Sequence, residues 1–205
     1  MDIYGEYGVY LPCILDAFST RIKIENEKAK ASTGFKLYEH LIARVKTHES
    51  MMGKCQRKNL PQTTHSALKL IRDSIGVRIV CGFIDDIYTI VELIRGFDGY
   101  HIVEEKDYIK HVKPNGYRSY HLILAVETAF PDCENETQGM YFIEVQLRTI
   151  AQDSWASLEH QMKYKHEINN AKRIERELKR CADELASCDL SMQTIRQLIV
   201  ESRDD

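Results

Sequence analysis

The sequence predicts an α+β fold: a β-sheet of about five strands flanked by helices, closed by a C-terminal helical tail. Two observations carry this. Strand-like runs recur between residues 76 and 149, and apolar residues at helical spacing precede, separate and follow them. The chain has 205 residues, no internal repeat and no low-complexity segment, so one domain with a hydrophobic core is expected over 1–205.

The first third reads as helical. From Phe35 to about Arg57, Leu37, Leu41, Val45 and Met52 recur near helical spacing, and Lys and Arg fill the other faces. Asn59 to Thr64 is polar, contains a proline and reads as a loop. Gly76 to Phe83 alternates, with Val77, Ile79 and Cys81 on one face and Arg78 and Val80 on the other. Ile84 to Phe97 reads as a helix opened by Asp85 or Asp86, and Tyr100 to Tyr108 as the second strand. Lys113-Pro114-Asn115-Gly116 is a turn, because Pro presets φ while Asn and Gly tolerate positive φ. Ser119 to Val126 is the third strand. A polar loop with Pro131, Asp132, Asn135 and Gly139 leads to the fourth, Met140 to Thr149. A helix follows around Ala151 to Tyr164. The tail, Glu167 to Arg203, carries one apolar stripe of Ile174, Leu178, Cys181 and Leu185. After a break at Asp189, read as an N-cap, it carries a second of Met192, Ile195, Leu198 and Ile199. These stripes suit packing on the domain or on a second subunit.

Composition excludes several classes. The net charge of −3 leaves no broad footprint for nucleic acid or an acidic membrane, although a local basic face remains open. Met1 to Tyr10 carries acids and tyrosines rather than a leader, and no run approaches the roughly 20 apolar residues of a membrane helix. The six cysteines form no CxxC pair and read as reduced thiols of a cytoplasmic protein; no zinc-ligand spacing is present.

The chemistry concentrates in three places. In the fourth strand Tyr141, Ile143, Val145 and Leu147 make one face, and Phe142, Glu144, Gln146 and Arg148 the other. The three polar groups stand about 7 Å apart, given a rise of about 3.3 Å per residue. A solvent-facing strand gives the same pattern. Asp73, just before the Arg78 strand, is a helix-end or surface residue, or else a Mg²⁺ ligand that would pair with Glu144 if the two strands are neighbours. Lys46, Ser50, Lys54 and Arg57 share one face of the expected helix, a basic stripe suited either to a triphosphate or to solvent. Lys106 to His121 gathers lysines, tyrosines and histidines around a tight turn, suiting a nucleotide base with its phosphates or an exposed hairpin. No GxxxxGK[ST], GxGxxG, HExxH or His-Asp dipeptide occurs, so a nucleotide reaction here needs another scaffold.

Three blocks resemble the synthetase domain of RelA/SpoT-type proteins: Asp73-Ser74-Ile75-Gly76-Val77-Arg78-Ile79; Asp107-Tyr108-Ile109-Lys110 with Lys113-Pro114-Asn115-Gly116-Tyr117-Arg118-Ser119; and Glu144-Val145-Gln146-Leu147-Arg148-Thr149. Trp155-Ala156-Ser157-Leu158-Glu159-His160, with Tyr164-Lys165, is similar to the small single-domain alarmone synthetases. Arg44-Val45-Lys46, Ser50 and Lys54 fit the same subfamily. The resemblance spans about residues 36–165 as a catalytic core, with 167–205 as a tail that would serve oligomerisation.

The resemblance implies a mixed sheet of the nucleotidyltransferase kind. It also implies a Mg²⁺-dependent transfer of pyrophosphate from ATP to the 3′-hydroxyl of GDP or GTP, in a homotetramer. By motif position, Asp73 would hold Mg²⁺, and Glu144 would activate the hydroxyl or share the metal. Lys46, Ser50 and Lys54 would hold the ATP phosphates, with Arg44 and Arg78 at adenine. Tyr117 would stack on guanine; Lys113, Asn115, His121 and Gln146 would line the acceptor site, and Lys106 would meet phosphate. The His-Asp pair of the family's hydrolase domain is absent, so synthesis without degradation is expected.

Some positions depart from the family pattern: His111-Val112 for Asn-Pro, Tyr120 for Leu, and Ser154 for an aromatic. His40 and Ile42 stand where some small members carry the Phe-x-Thr element that binds alarmone as an activator. Two other readings fit the same residues: a toxin-type member that pyrophosphorylates the 3′ end of transfer RNA, and a non-catalytic guanine-nucleotide or RNA-binding regulator.

Overall fold

The computed structural model describes residues 2–164 and 171–204. After a 3-10 turn at Gly5–Tyr10, the elements are α1 (Leu11–Thr33), β1 (His40–Val45), α2 (His48–Arg57), β2 (Ile75–Cys81), α3 (Ile84–Arg95), β3 (Tyr100–Asp107), β4 (Tyr120–Glu127), β5 (Met140–Thr149), α4 (Ile150–Tyr164) and α5 (Ala171–Asp204). The strand order is β1-β2-β5-β4-β3; β2 and β5 run parallel and the other neighbours antiparallel. The sheet is therefore mixed, with five strands and flanking helices, as expected.

Alternation divides the sheet into two faces. Ile75, Val77, Ile79 and Cys81 of β2, Ile143, Val145 and Leu147 of β5, and Leu122 and Leu124 of β4 are buried on one side. Leu11, Ile14, Leu15, Phe18 and Ile22 of α1 and Ile87, Ile90, Val91 and Ile94 of α3 cover that side, and all belong to one core. Removing such buried side chains from water is worth about 1.5–3 kcal/mol each. α1 thus completes the core from ahead of residue 36. It starts with Pro12 in its first turn and stops at Gly34, which takes φ 78° and donates its amide to the Lys30 carbonyl at 3.0 Å.

The helix expected from Phe35 to Arg57 is replaced by strand β1, a turn and the shorter α2. The spacing of Leu37, Leu41 and Val45 imitates a helix. The competing pattern is Leu41, Ala43 and Val45 turned to the core, with His40, Ile42 and Arg44 turned out. Thr47 caps α2 by accepting the Ser50 amide at 3.3 Å, and Met51 and Cys55 bury one face. Lys46 precedes that cap, so the predicted stripe of four basic-face residues is split between a turn and a helix.

The expected break at Asp189 does not occur, and α5 runs unbroken from Ala171 to Asp204. Asp189 is a buried helix-interior residue that accepts the Thr149 hydroxyl at 2.7 Å. The inward seam of α5 runs through Ile174, Leu178, Ala182, Leu185, Asp189, Gln193 and Arg196. Cys181 is exposed, and Ala182 takes the seam position expected of it. Met192, Ile195, Leu198 and Ile199 face outward and are exposed. The start of the tail at 167–170 and Lys165 of the similarity block lie outside the described residues.

Candidate active site

The face of the sheet away from the core carries the polar row. Strand register aligns Ile42, Arg78, Gln146, His121 and Lys106 in a line across all five strands. The adjacent line is Arg44, Gly76, Glu144, Ile123 and Glu104. Residues far apart in sequence meet here because β2 and β5, which carry the two predicted carboxylate blocks, are direct neighbours.

Asp73 sits at the mouth of β2. The Lys46 amide donates to Ser74 O at 2.8 Å, which extends the β1–β2 pairing and brings Lys46 opposite this segment. The Lys46 ammonium reaches Asp73 Oδ2 at 2.5 Å, and Lys54 of α2 donates to the same oxygen. Burial alone would raise the Asp73 carboxyl; the two lysines outweigh it and hold it below the ordinary range. Burial and the charge of Lys54 lower the Lys46 ammonium despite its partner. Asp73 Oδ1 is buried with no hydrogen-bond partner. Glu144 is pushed up first by burial and then by the Asp73 charge, so the two carboxylates sense one another across the mouth of the site.

Gln146 Nε2 donates to Glu144 Oε2 at 3.2 Å, and its own carbonyl accepts Arg148 Nη2 at 3.1 Å. Arg148 also donates to the Tyr117 hydroxyl at 2.8 Å and to Asp153 at 2.9 Å. The Tyr117 hydroxyl is 2.8 Å from His121 Nε2. Since that hydroxyl already accepts from an arginine, its one proton goes to His121 Nε2. The tautomer assigned from this network carries its hydrogen on Nδ1. Nδ1 lies 3.8 Å from Glu144 Oε1. Burial and the cations Arg148, Lys113, Lys106 and Arg78 lower His121 to about 4, so it is neutral at pH 7.

Tyr117 is half-buried within an aromatic group of Tyr108, His121 and Trp155. Lys113 Nζ lies 4.7 Å from its ring centroid and the Arg148 guanidinium 5.3 Å. A base stacking on Tyr117 would displace Lys113, whose side chain is exposed. Arg78 is held by Asp153 at 3.3 Å, and its Nε is buried without a partner. A cleft of about 180 Å³ is lined by Ile42, Arg44, Gly76, Arg78, Glu144 and Gln146. An adjoining one of about 440 Å³ shares Arg44 and Arg78 and adds Tyr117, Arg148 and Glu159.

Three predicted residues sit at the margin of the site. Ser50 is exposed in the first turn of α2. Lys106 lies at the β3 edge, paired with Glu104. Asn115 is turned inward: its carbonyl accepts the Tyr117 amide at 3.2 Å and its amide donates to Glu159 at 3.2 Å. Sequence reasoning placed Arg148 in the polar row of the fourth strand without giving it a role, and did not single out Asp153. Asp153 lies beyond the strand–helix junction and carries no periodic relation to its partners.

Residues 43–169 match the family described as the region found in RelA / SpoT proteins. The GTP pyrophosphokinase YwaC of Bacillus subtilis (strain 168) is 40% identical over 171 residues, 82% of this chain and 79% of that protein. The crystal structure of small alarmone synthetase 1 from Bacillus subtilis bound to its product pppGpp is 27% identical, with a TM-score of 0.80 over 94% of this chain and 96% of that one. Small alarmone synthetase 2 from the same organism is 36% identical, with a TM-score of 0.78 over 92% and 95%.

Proposed function

The chain belongs to the RelA/SpoT family, and on that premise we propose that it is a (p)ppGpp synthetase, a GTP/GDP pyrophosphokinase that releases AMP from ATP. The observation that carries this reading is that Asp73, just ahead of β2, lies near enough to Glu144 of the neighbouring β5 for its charge to raise the Glu144 carboxyl, with Lys46 and Lys54 already gathered on Asp73.

In the reaction, the 3′-oxygen of GDP or GTP attacks the β-phosphorus of ATP. The bond from that phosphorus to the bridging oxygen of the α-phosphate breaks, and AMP leaves with the electron pair. Glu144 accepts the hydroxyl proton; burial and the Asp73 charge raise its carboxyl, which makes it a stronger base than an ordinary carboxylate. Lys46 and Lys54 exchange Asp73 for phosphate oxygens when the donor binds. Their charge then surrounds the group in flight, where positioning and charge supply most of the rate in phosphoryl transfer. Arg44 and Arg78 face adenine; Tyr117, Lys113, His121 and Gln146 serve the acceptor. Asn115 acts on the acceptor side by shaping the loop of Tyr117.

The site suits Mg²⁺. Asp73 Oδ1 is a buried oxygen without a partner, and Asp73 and Glu144 carry charges that a cation would reconcile. Mg²⁺ is commonly held by one or two carboxylates plus substrate phosphates; among the described residues no group of three or more His, Cys, Asp or Glu gathers. Asp73 and Glu144 would hold the ion, which supplies positive charge to the phosphate oxygens. The exposed outer stripe of α5 is the surface we assign to a homotetramer; sedimentation of wild type against Leu198→Asp tests it. No helix among the described residues is long and apolar enough to cross a membrane.

The test is ion-exchange separation of products from purified protein, Mg²⁺, ATP and GDP, GTP or transfer RNA. Guanosine 3′-pyrophosphate products and AMP are expected, with none in Glu144→Gln or Asp73→Asn, both folded. Labelled transfer RNA alone, or nucleotide binding without AMP release, overturns the assignment.

A further inference from the structure

The family match ends at residue 169, ahead of α5, yet this helix touches the loop that carries Tyr117. Gly116 takes φ +90°, and a Cβ placed there would lie 2.6 Å from the Ala182 Cβ and 3.4 Å from the Lys179 Cα. The loop main chain therefore rests on the helix main chain, and the fit requires the smallest side chains on both sides. Arg118 fastens the contact. Its guanidinium donates to Gly116 O at 3.1 Å, to Ala182 O at 3.2 Å and to Asp183 at 3.0 Å. Trp155, packed 6.4 Å from the Tyr117 ring, donates its indole N–H to Leu178 O at 2.8 Å. Tyr117 is thus fixed from both chain directions and from behind, each time through the same two turns of α5.

We propose that α5 is the seat of the acceptor loop: Ala182 and Asp183 are positioning residues that hold Gly116–Tyr117–Arg118 in binding geometry and so set affinity for the guanine nucleotide. The inference rests on the reading of this loop as the acceptor side. A loop ordered before the ligand arrives costs less to order on binding, so loosening it weakens the acceptor and leaves the donor alone.

The experiment uses the full chain. Ala182→Leu should raise KM for GDP about tenfold and leave KM for ATP within about twofold, the pattern of lost ground-state binding. Asp183→Ala and Arg118→Ala should each raise KM for GDP by less, and the double variant should do no more than the worse single one, because both break one link. Arg180→Ala, on the exposed side of the same helix, should move neither constant. Amide hydrogen exchange of residues 113–118 should quicken in Ala182→Leu and in Asp183→Ala. Unchanged exchange and unchanged KM for GDP in folded Ala182→Leu overturn the proposal, as do quickened exchange with unchanged KM or an equal rise in both KM values. If Ala182→Leu does not fold, the Arg118/Asp183 cycle decides alone. Wild type that transfers nothing to any guanine nucleotide overturns the functional reading instead, and the exchange data still decide whether α5 seats the loop.

Discussion

At the scale of single residues, the site stores unfavourable charge. Glu144 is half-buried next to a second carboxylate, which raises its pKa, so its ionised form is disfavoured in the metal-free fold. A carboxyl raised by folding costs stability that builds as pH rises past its unfolded pKa and is complete above its folded pKa. Glu144→Gln, expected to lose turnover, should therefore melt at higher temperature than wild type at pH 7 and lose that advantage at acid pH; calorimetry at both pH values checks this. His121 gives the second test. Its folded pKa of about 4 lies below the ordinary 6.5, so only the unfolded chain takes up a proton between those values. Stability should fall as pH drops from about 6.5 to 4, by about 3 kcal/mol from this residue, and level off below. Urea denaturation of metal-free protein should show that slope, with His121→Gln lacking this share of it. His121, Glu144 and Gln146 were legible in the sequence because the motifs named them. The surroundings that tune His121 and Glu144 were not, since burial comes from the packed sheet and the charges come from Asp73 and from cations of β2, β3, β5 and the loop at 113.

At the scale of elements, strand register makes the site, and one position in it is conspicuously bare. Gly76 stands between Arg44 and Glu144, and a Cβ there would meet nothing within 4 Å. Its φ is not positive, so backbone geometry does not demand glycine. The space it leaves is part of the cleft. Gly76→Val should thus keep or slightly raise Tm, since glycine weakens strands, while it fills the cleft and lowers kcat/KM by about 100-fold or more. Equal losses of stability and activity would contradict this. β2, β4 and β5 were legible because their core-facing residues are large and apolar. β1 was not: Ala43 is a weak core signal, and the exposed Ile42 and inward Leu41 blur the alternation into a helical rhythm. The order β1-β2-β5-β4-β3 was equally hidden, because no local pattern in β2 or β5 says that they pair.

At the scale of the molecule, α5 joins parts that the sheet keeps separate. One stretch seats the Tyr117 loop on the site face, and a later stretch reaches α3, which packs on the core face. The second attachment is Arg196, whose guanidinium meets Asp86 at 2.5 Å and lies over the rings of Phe83 and Phe35 at 4.5 and 5.2 Å. Asp86 is 4% exposed as a side chain and one of its oxygens lacks a hydrogen-bond partner, although the Phe83 amide lies close enough to favour its charge. Burial outweighs Arg196 and keeps the Asp86 carboxyl raised. Removing the arginine strands the acid, and breaking such a pair costs about 3–5 kcal/mol, against much less when both partners become neutral. Arg196→Ala should therefore be destabilised by about 3 kcal/mol in urea at pH 8, and Asp86→Asn/Arg196→Met by less. The sign with pH follows from the carboxyl: without its cation, Asp86 ionises only at still higher pH, so the penalty in Arg196→Ala should shrink as pH is lowered toward 5. A loss independent of pH would mean that Arg196 acts through its packing on Phe35 and Phe83 and not through its charge.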